Sequence, residues 1–251
     1  MSLLEIVGVT KAFGGVVAVR NVSMSVDQGA IVAVIGPNGA GKTSLFNVVT
    51  GFEPPTSGKV SFDGATVSGM EPWQVARRGM VRTFQTPVGF PALSVWENLM
   101  VAGSAFSDES LLAALRGSWR GGERSTHQRA RVLLEDLDLW AARDAVISDL
   151  PPGDVKLVDF ARQLMVQPRM LLLDEPASGV DPAAIGRLAE LIRRVRDQGV
   201  TVLVIDHNIG FVLGIADMVH VMALGEVIAS GAPAEIVHDP KVVEIYLGRS
   251  A

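Results

Sequence analysis

The run Gly36-Pro37-Asn38-Gly39-Ala40-Gly41-Lys42-Thr43 carries the clearest chemistry in this chain. It fits G-x-x-x-x-G-K-[ST], follows the apolar stretch Ile31-Val32-Ala33-Val34-Ile35 and precedes a helix expected from Ser44 through Val49. Strand, loop and helix in that order are the context in which this spacing makes a phosphate cradle rather than a chance turn. The glycines let the backbone curl until successive N–H groups converge on phosphate oxygens. The start of the following helix adds about half a positive elementary charge at the same place. Lys42 can reach the β- and γ-phosphates, and the Thr43 hydroxyl can ligate Mg²⁺. The expected ligand is a nucleoside triphosphate.

A second cluster lies far along the chain, where Met170-Leu171-Leu172-Leu173 ends in Asp174-Glu175. Ligands and catalytic groups in open α/β sheets gather at the carboxyl ends of strands. There Asp174 would hold the Mg²⁺ shell, and Glu175 would polarise an attacking water as a general base, an effect of about 10²–10⁴-fold in rate. Taken alone, the pair reads equally well as an acidic turn capping the next segment. Beside a phosphate loop, the catalytic reading is preferred.

These residues need strands to hold them. Ile31–Ile35, Met170–Leu173 and Val200–Ile205 are continuous apolar runs, as expected for strands buried on both faces. Leu3–Val9, Val16–Val19, Val22–Val26 and Lys59–Phe62 read as shorter, antiparallel strands, the last closed by an Asp63-Gly64 turn. Glu71–Arg78 and Ala183–Gln198 read as helices, with Pro182 suited to a first helical turn. Beyond Thr86 the pattern becomes helical, over Leu93–Ala102, Leu111–Leu115 and Gln128–Leu139, with a loop-rich excursion at Ser104–Thr126.

Composition narrows the class. The 251 residues suffice for one large α/β domain with an insertion. Twenty-two basic against 27 acidic residues give a net charge of −5, so no global basic field argues for nucleic acid. Cysteine is absent, which excludes disulfides and cysteine-held metals and fits a reducing compartment. Mean hydropathy is high, at +0.33. Apolar stretches such as Ile209–Ala216 still fall far below the ~18 residues of a membrane span. The start, Met1-Ser2-Leu3-Leu4-Glu5, lacks the features of a signal peptide, and a cytosolic chain is expected.

Five motifs follow in fixed order: Gly36–Thr43, Gln85 after Arg82-Thr83-Phe84, Asp174-Glu175, Ser178-Gly179-Val180-Asp181, and Asp206-His207. In this series the chain resembles the ATPase subunits of ATP-binding cassette (ABC) transporters over essentially its whole length. The resemblance implies a single α/β domain of the P-loop NTPase (RecA-like) fold. Its parallel core and antiparallel β subdomain would take residues 1–85 and 153–251, and its inserted α-helical subdomain residues 86–152. It implies ATP and Mg²⁺ as cofactors. The implied catalytic set is Glu175, His207, Gln85 and Lys42, with Mg²⁺ touched by Thr43, Gln85 and Asp174. Nucleotide contacts are implied for Phe13, the loop from Gly36 to Ser44, Gln85, Gly153, Asp181 and His207. Phe13 would stack on adenine, with core packing as a rival explanation. Asp181 would sit at a dimer interface.

One motif departs from the family pattern. Where L-S-G-G-Q is usual, this chain has Leu150-Pro151-Pro152-Gly153-Asp154. The glycine is kept, and a helix starting at an Asp154 cap could still aim its dipole at phosphate. The serine donor is gone, so a degenerate signature is the alternative.

Finer details point to a subgroup. Gly79 to Gln85, Glu97-Asn98-Leu99-Met100-Val101-Ala102, the long excursion and the ending Asp239 to Gly248 resemble ATPases of branched-chain amino acid importers. Asp206-His207-Asn208 is also similar to the lipopolysaccharide-export ATPase, and a non-transport ABC ATPase is a further alternative. A metabolic phosphotransferase is disfavoured by Ser178–Asp181 and His207. Implied partners are separate transmembrane permease subunits, a second and preferably non-identical ATPase subunit and, indirectly, a solute-binding protein outside the membrane. The implied location is the cytoplasmic face of the membrane. Arg116, Arg120, Arg124, Arg129 and Arg131 read as solvated surface or as contacts to anionic lipid.

Overall fold

The computed structural model describes residues 1–83, 89–104 and 119–247. Gln85, the expected helix Leu111–Leu115, Arg116, the side chain of Arg120 and the terminal Gly248 lie outside the described residues. The chain divides into two compact units. One comprises Met1–Arg82, Arg169–Ser178 and Ile192–Ala251; the other comprises Thr83–Pro168 and Gly179–Leu191.

In the first unit the apolar runs become the strands β3 (Ile31–Ile35), β7 (Met170–Asp174) and β8 (Thr201–Ile205), buried along their whole length. They are flanked by β6 (Met80–Arg82) and by the hairpin β9 (Met218–Ala223) and β10 (Glu226–Gly231), which the sequence pattern did not mark. The order is β10-β9-β3-β8-β7-β6. Pairing is parallel from β9 to β6, and only β10 runs antiparallel. The carboxyl ends of β3, β8, β7 and β6 therefore share one edge, which is where this topology gathers ligands.

The second sheet, β2-β1-β4-β5, is antiparallel, as expected. β1 runs Ser2–Phe13, β2 Val16–Asp27, β4 Ser57–Phe62 and β5 Ala65–Thr66. Val16–Val19 and Val22–Val26 are one strand rather than two. A register shift opposite Val9–Lys11 and a left-handed Asn21 (φ 48°) absorb the polar break between them. The Asp63-Gly64 turn forms with both residues at positive φ, as a tight hairpin requires. The helix α1 (Lys42–Val49) buries Leu45, Phe46, Val48 and Val49 in one cluster with Leu4, Ile6 and Val60 of the small sheet and Val34, Leu172 and Leu203 of the large one. Full burial of such a side chain is worth about 1.5–3 kcal/mol, so the helix following the phosphate loop is firmly seated. The same unit holds α2 (Pro72–Arg77).

The second unit is helical, with α3 (Val95–Ser104), α4 (Trp119–Asp136) and α5 (Pro152–Met165). The loop expected through Thr126 is overturned from Trp119 onward. Gly121-Gly122 argued against a helix, but Ala130, Leu133, Leu134 and Leu137 form a buried stripe at helical spacing, and tertiary packing overrides propensity. The helix α5 also begins earlier than expected. Pro151 is its cap and Pro152 its first residue, so Asp154 lies inside the first turn instead of capping it. The fixed φ of proline suits that position, and an acid there complements the helix dipole. Among the described residues, the remaining α-helices are α6 (Pro182–Asp197), α7 (Ile209–Ile215), α8 (Pro233–Ile236) and α9 (Pro240–Leu247).

Candidate active site

The phosphate loop leaves β3 and enters α1 under tight backbone constraint. A Cβ on Gly36 would lie 2.1 Å from the Met222 carbonyl oxygen, and one on Gly41 2.2 Å from that of Ala18. Gly36 has φ 153° and Gly41 φ 98°. Only glycine permits these two approaches, which press the loop against β9 and β2. The Gly225 amide donates to the Ala40 carbonyl at 3.1 Å, tying the β9–β10 turn to the loop as well. Gly41 caps α1 and has no side chain to occupy the first-turn amides. That end of the helix therefore suits an anion.

Lys42 is 8% exposed and donates to the carbonyls of Gly36 at 2.7 Å and Pro37 at 3.0 Å. Burial holds it below the ordinary lysine value of 10.5, while the charges of Glu175 and Asp174 pull the other way. The ammonium and both carboxylates thus share one electrostatic site, although they stand more than 130 residues apart in sequence. Thr43 is exposed and Ser44 half-buried at the head of α1.

At the end of β7, Asp174 is 5% exposed and accepts a hydrogen bond of 2.6 Å from Arg82 at the end of β6. The next residue, Glu175, sits at φ 51° with its side chain 22% exposed. A non-glycine residue there costs on the order of 1–3 kcal/mol and persists only where its surroundings enforce it. Here the Glu175 amide donates to Ile205 O at 2.8 Å, and its carbonyl accepts from the Ser178 amide at 3.2 Å. His207, two residues past the end of β8, places Nδ1 3.8 Å from Glu175 Oε2. The Asp206 side chain is wholly buried and was not singled out from sequence as a site residue. Its carboxylate accepts from the Ala177 amide at 2.9 Å and from the Asn208 amide at 2.8 Å. It thereby fixes the segment after Glu175 to the segment carrying His207.

Phe13, at the end of β1, is 45% exposed, with Lys11 Nζ 4.8 Å from its ring centre. Core packing does not account for it. Gly153 and Asp181 belong to the second unit and stand close together. A Cβ on Gly153 would meet Gly179 O and Val180 Cα at 3.7 Å and the Asp181 amide at 3.8 Å. The Asp181 carbonyl accepts from Ala184 and Ile185 as α6 begins. Of the expected basic surface, Arg129 donates to the Met165 carbonyl at 2.9 Å and Arg131 pairs with Glu135 at 2.8 Å. Neither needs a lipid to explain it.

A glycine-constrained loop after one parallel strand, a buried lysine and two consecutive carboxylates at the end of another define a P-loop nucleoside triphosphatase. A family model described as ABC transporter matches residues 19–178, and a second, described as branched-chain amino acid ATP-binding cassette transporter, matches residues 226–251. The chain belongs to the ABC transporter family, as an ATP-binding subunit with ATPase activity. It is 37% identical to a probable branched-chain amino acid transport ATP-binding protein LivG of Archaeoglobus fulgidus, covering 99% of this chain and 96% of the relative. It is 38% identical to the high-affinity branched-chain amino acid transport ATP-binding protein BraF of Pseudomonas aeruginosa, covering 99% and 98%. Among solved structures, a nucleotide-free ATP-binding cassette from an ABC transporter superposes with a TM-score of 0.85 at 36% identity, covering 99% of this chain and all of that one. A cassette in its ADP conformation matches equally, with a TM-score of 0.85 at 37% identity and the same coverage.

Proposed function

We propose that this chain is the motor that powers import of branched-chain amino acids, or a related small solute, from the cytoplasmic face of a membrane. The observation that carries the reading is the branched-chain amino acid cassette match at residues 226–251, within full-length likeness to transport proteins of that type. Among the described residues no helix is long and apolar enough to cross a membrane. The permease partners are therefore sought as separate chains, with a solute-binding protein delivering cargo to them.

In the proposed cycle the loop amides and Lys42 neutralise the β- and γ-phosphates, and Phe13 stacks on the adenine. Glu175 accepts a proton from the attacking water, and His207 contacts the γ-phosphate beside it. Gln85 joins the metal and the water, and Gly153 and Asp181 serve a neighbouring subunit's nucleotide. Thr43 and Asp174 would hold Mg²⁺. Both offer oxygen, as a hard cation that keeps several waters and leans on phosphates requires. Among the described residues no cluster of three or more His, Cys, Asp or Glu competes for a metal. When bound, Mg²⁺ would offset charge on the phosphate oxygens.

The test is to copurify the chain with its membrane partners, reconstitute them in vesicles and supply ATP on the side of this subunit. Uptake of labelled leucine, isoleucine or valine in the presence of the binding protein is the expected result. ATP-driven uptake of an unrelated solute alone would refute the cargo.

A further inference from the structure

We propose that Arg82 is a positioning residue for the Asp174 carboxylate and thereby sets the divalent-cation affinity of the nucleotide site. The proposal rests on the reading that Asp174 helps hold Mg²⁺. Arg82 and Asp174 end neighbouring parallel strands, with Arg82 in register with Leu172, two residues before the carboxylate. Both side chains are 5% exposed, and NH2 of the guanidinium donates to Asp174 Oδ2 at 2.6 Å. Isolated burial of either charge would be costly, so the two hold each other.

The guanidinium has a second arm. NH1 donates to Asn47 Oδ1 on α1 at 2.7 Å, with Oγ1 of Thr50, which caps the end of that helix, at 3.4 Å. The same helix begins with Lys42 and Thr43. Its cationic carbon lies 5.5 Å from the Phe46 ring centre and 6.0 Å from that of Phe52. A planar fork held between rings fixes two directions at once, which a lysine ammonium cannot do. Arg82 therefore ties one proposed cation ligand, Asp174, to the helix bearing the other, Thr43. Groups that orient a metal ligand typically change metal affinity about 10–100-fold when removed.

Because Arg82→Met would strand a buried carboxylate, the test uses Arg82→Lys, which keeps the charge and loses the fork, and Asn47→Ala, which removes the second arm. Binding of a fluorescent ATP analogue to the purified chain is measured without Mg²⁺ and through a Mg²⁺ titration, with thermal melting to confirm folding. Both variants are expected to need about tenfold more Mg²⁺ at the midpoint while binding the Mg²⁺-free nucleotide within about twofold of wild type. Wild-type midpoints in both folded variants would overturn the proposal. So would a parallel loss of Mg²⁺-free binding, which marks a merely structural role. If wild-type binding itself ignores Mg²⁺, the underlying metal reading fails, and this result is distinct from the other two.

Discussion

At the scale of single residues, the account rests on charge placed where phosphates will lie. Lys42→Ala removes a buried ammonium held by two loop carbonyls, and ATP affinity is expected to fall at least about tenfold, given about 1.5–3 kcal/mol for a hydrogen bond to a charged group. Equilibrium ATP binding to the folded variant measures this, and unchanged affinity would contradict it. Asp206→Ala tests the clamp behind Glu175 and His207. It leaves the Ala177 and Asn208 amides without their acceptor, and stability should drop by about 2–3 kcal/mol, read as a shifted denaturant midpoint. Lys42, Thr43, Asp174, Glu175 and His207 were legible because each sits in a short string whose neighbours announce it. The clamping role of Asp206 and the reach of Arg82 were not. Their partners lie 29 and 92 residues away, and only strand order brings them together.

At the scale of elements, the sequence showed strands best where burial on both faces left uninterrupted apolar runs. It missed β9, where His220 interrupts the pattern. In the fold His220 is buried, pairs in register with Ser230 of β10 and sets Nδ1 2.7 Å from the Ser230 hydroxyl. A polar residue whose partner lies across a hairpin leaves no signal in a one-dimensional pattern. Burial lowers the His220 pKa from the ordinary 6.5. Below pH 6.5 the unfolded chain then takes up a proton that the folded chain refuses, so stability falls as pH drops towards the folded value. The slope is at most about 1.4 kcal/mol per pH unit for one such group. Denaturant midpoints at pH 7.5 and 5.5 should show wild type losing more stability than His220→Gln, and equal losses would contradict the assignment. The start of α4 was hidden for the opposite reason: its glycines spoke against a helix that buried leucines enforce.

At the scale of the whole molecule, the proposed function pairs the ATP-binding subunit with membrane partners, and its signature Leu150 to Asp154 lacks the serine donor. A homodimer would carry that loss in both sites, so the working complex is expected to pair this chain with a different ATPase subunit. Intact mass of the purified complex counts the species, and two copies of this chain hydrolysing ATP at full rate in both sites would contradict the expectation. The central claim, ATP hydrolysis at a site whose base is Glu175, is tested most directly by turnover of Glu175→Gln beside wild type in that complex. Hydrolysis should fall at least about a hundredfold while ATP binding is retained. Wild-type turnover in the variant would contradict the account.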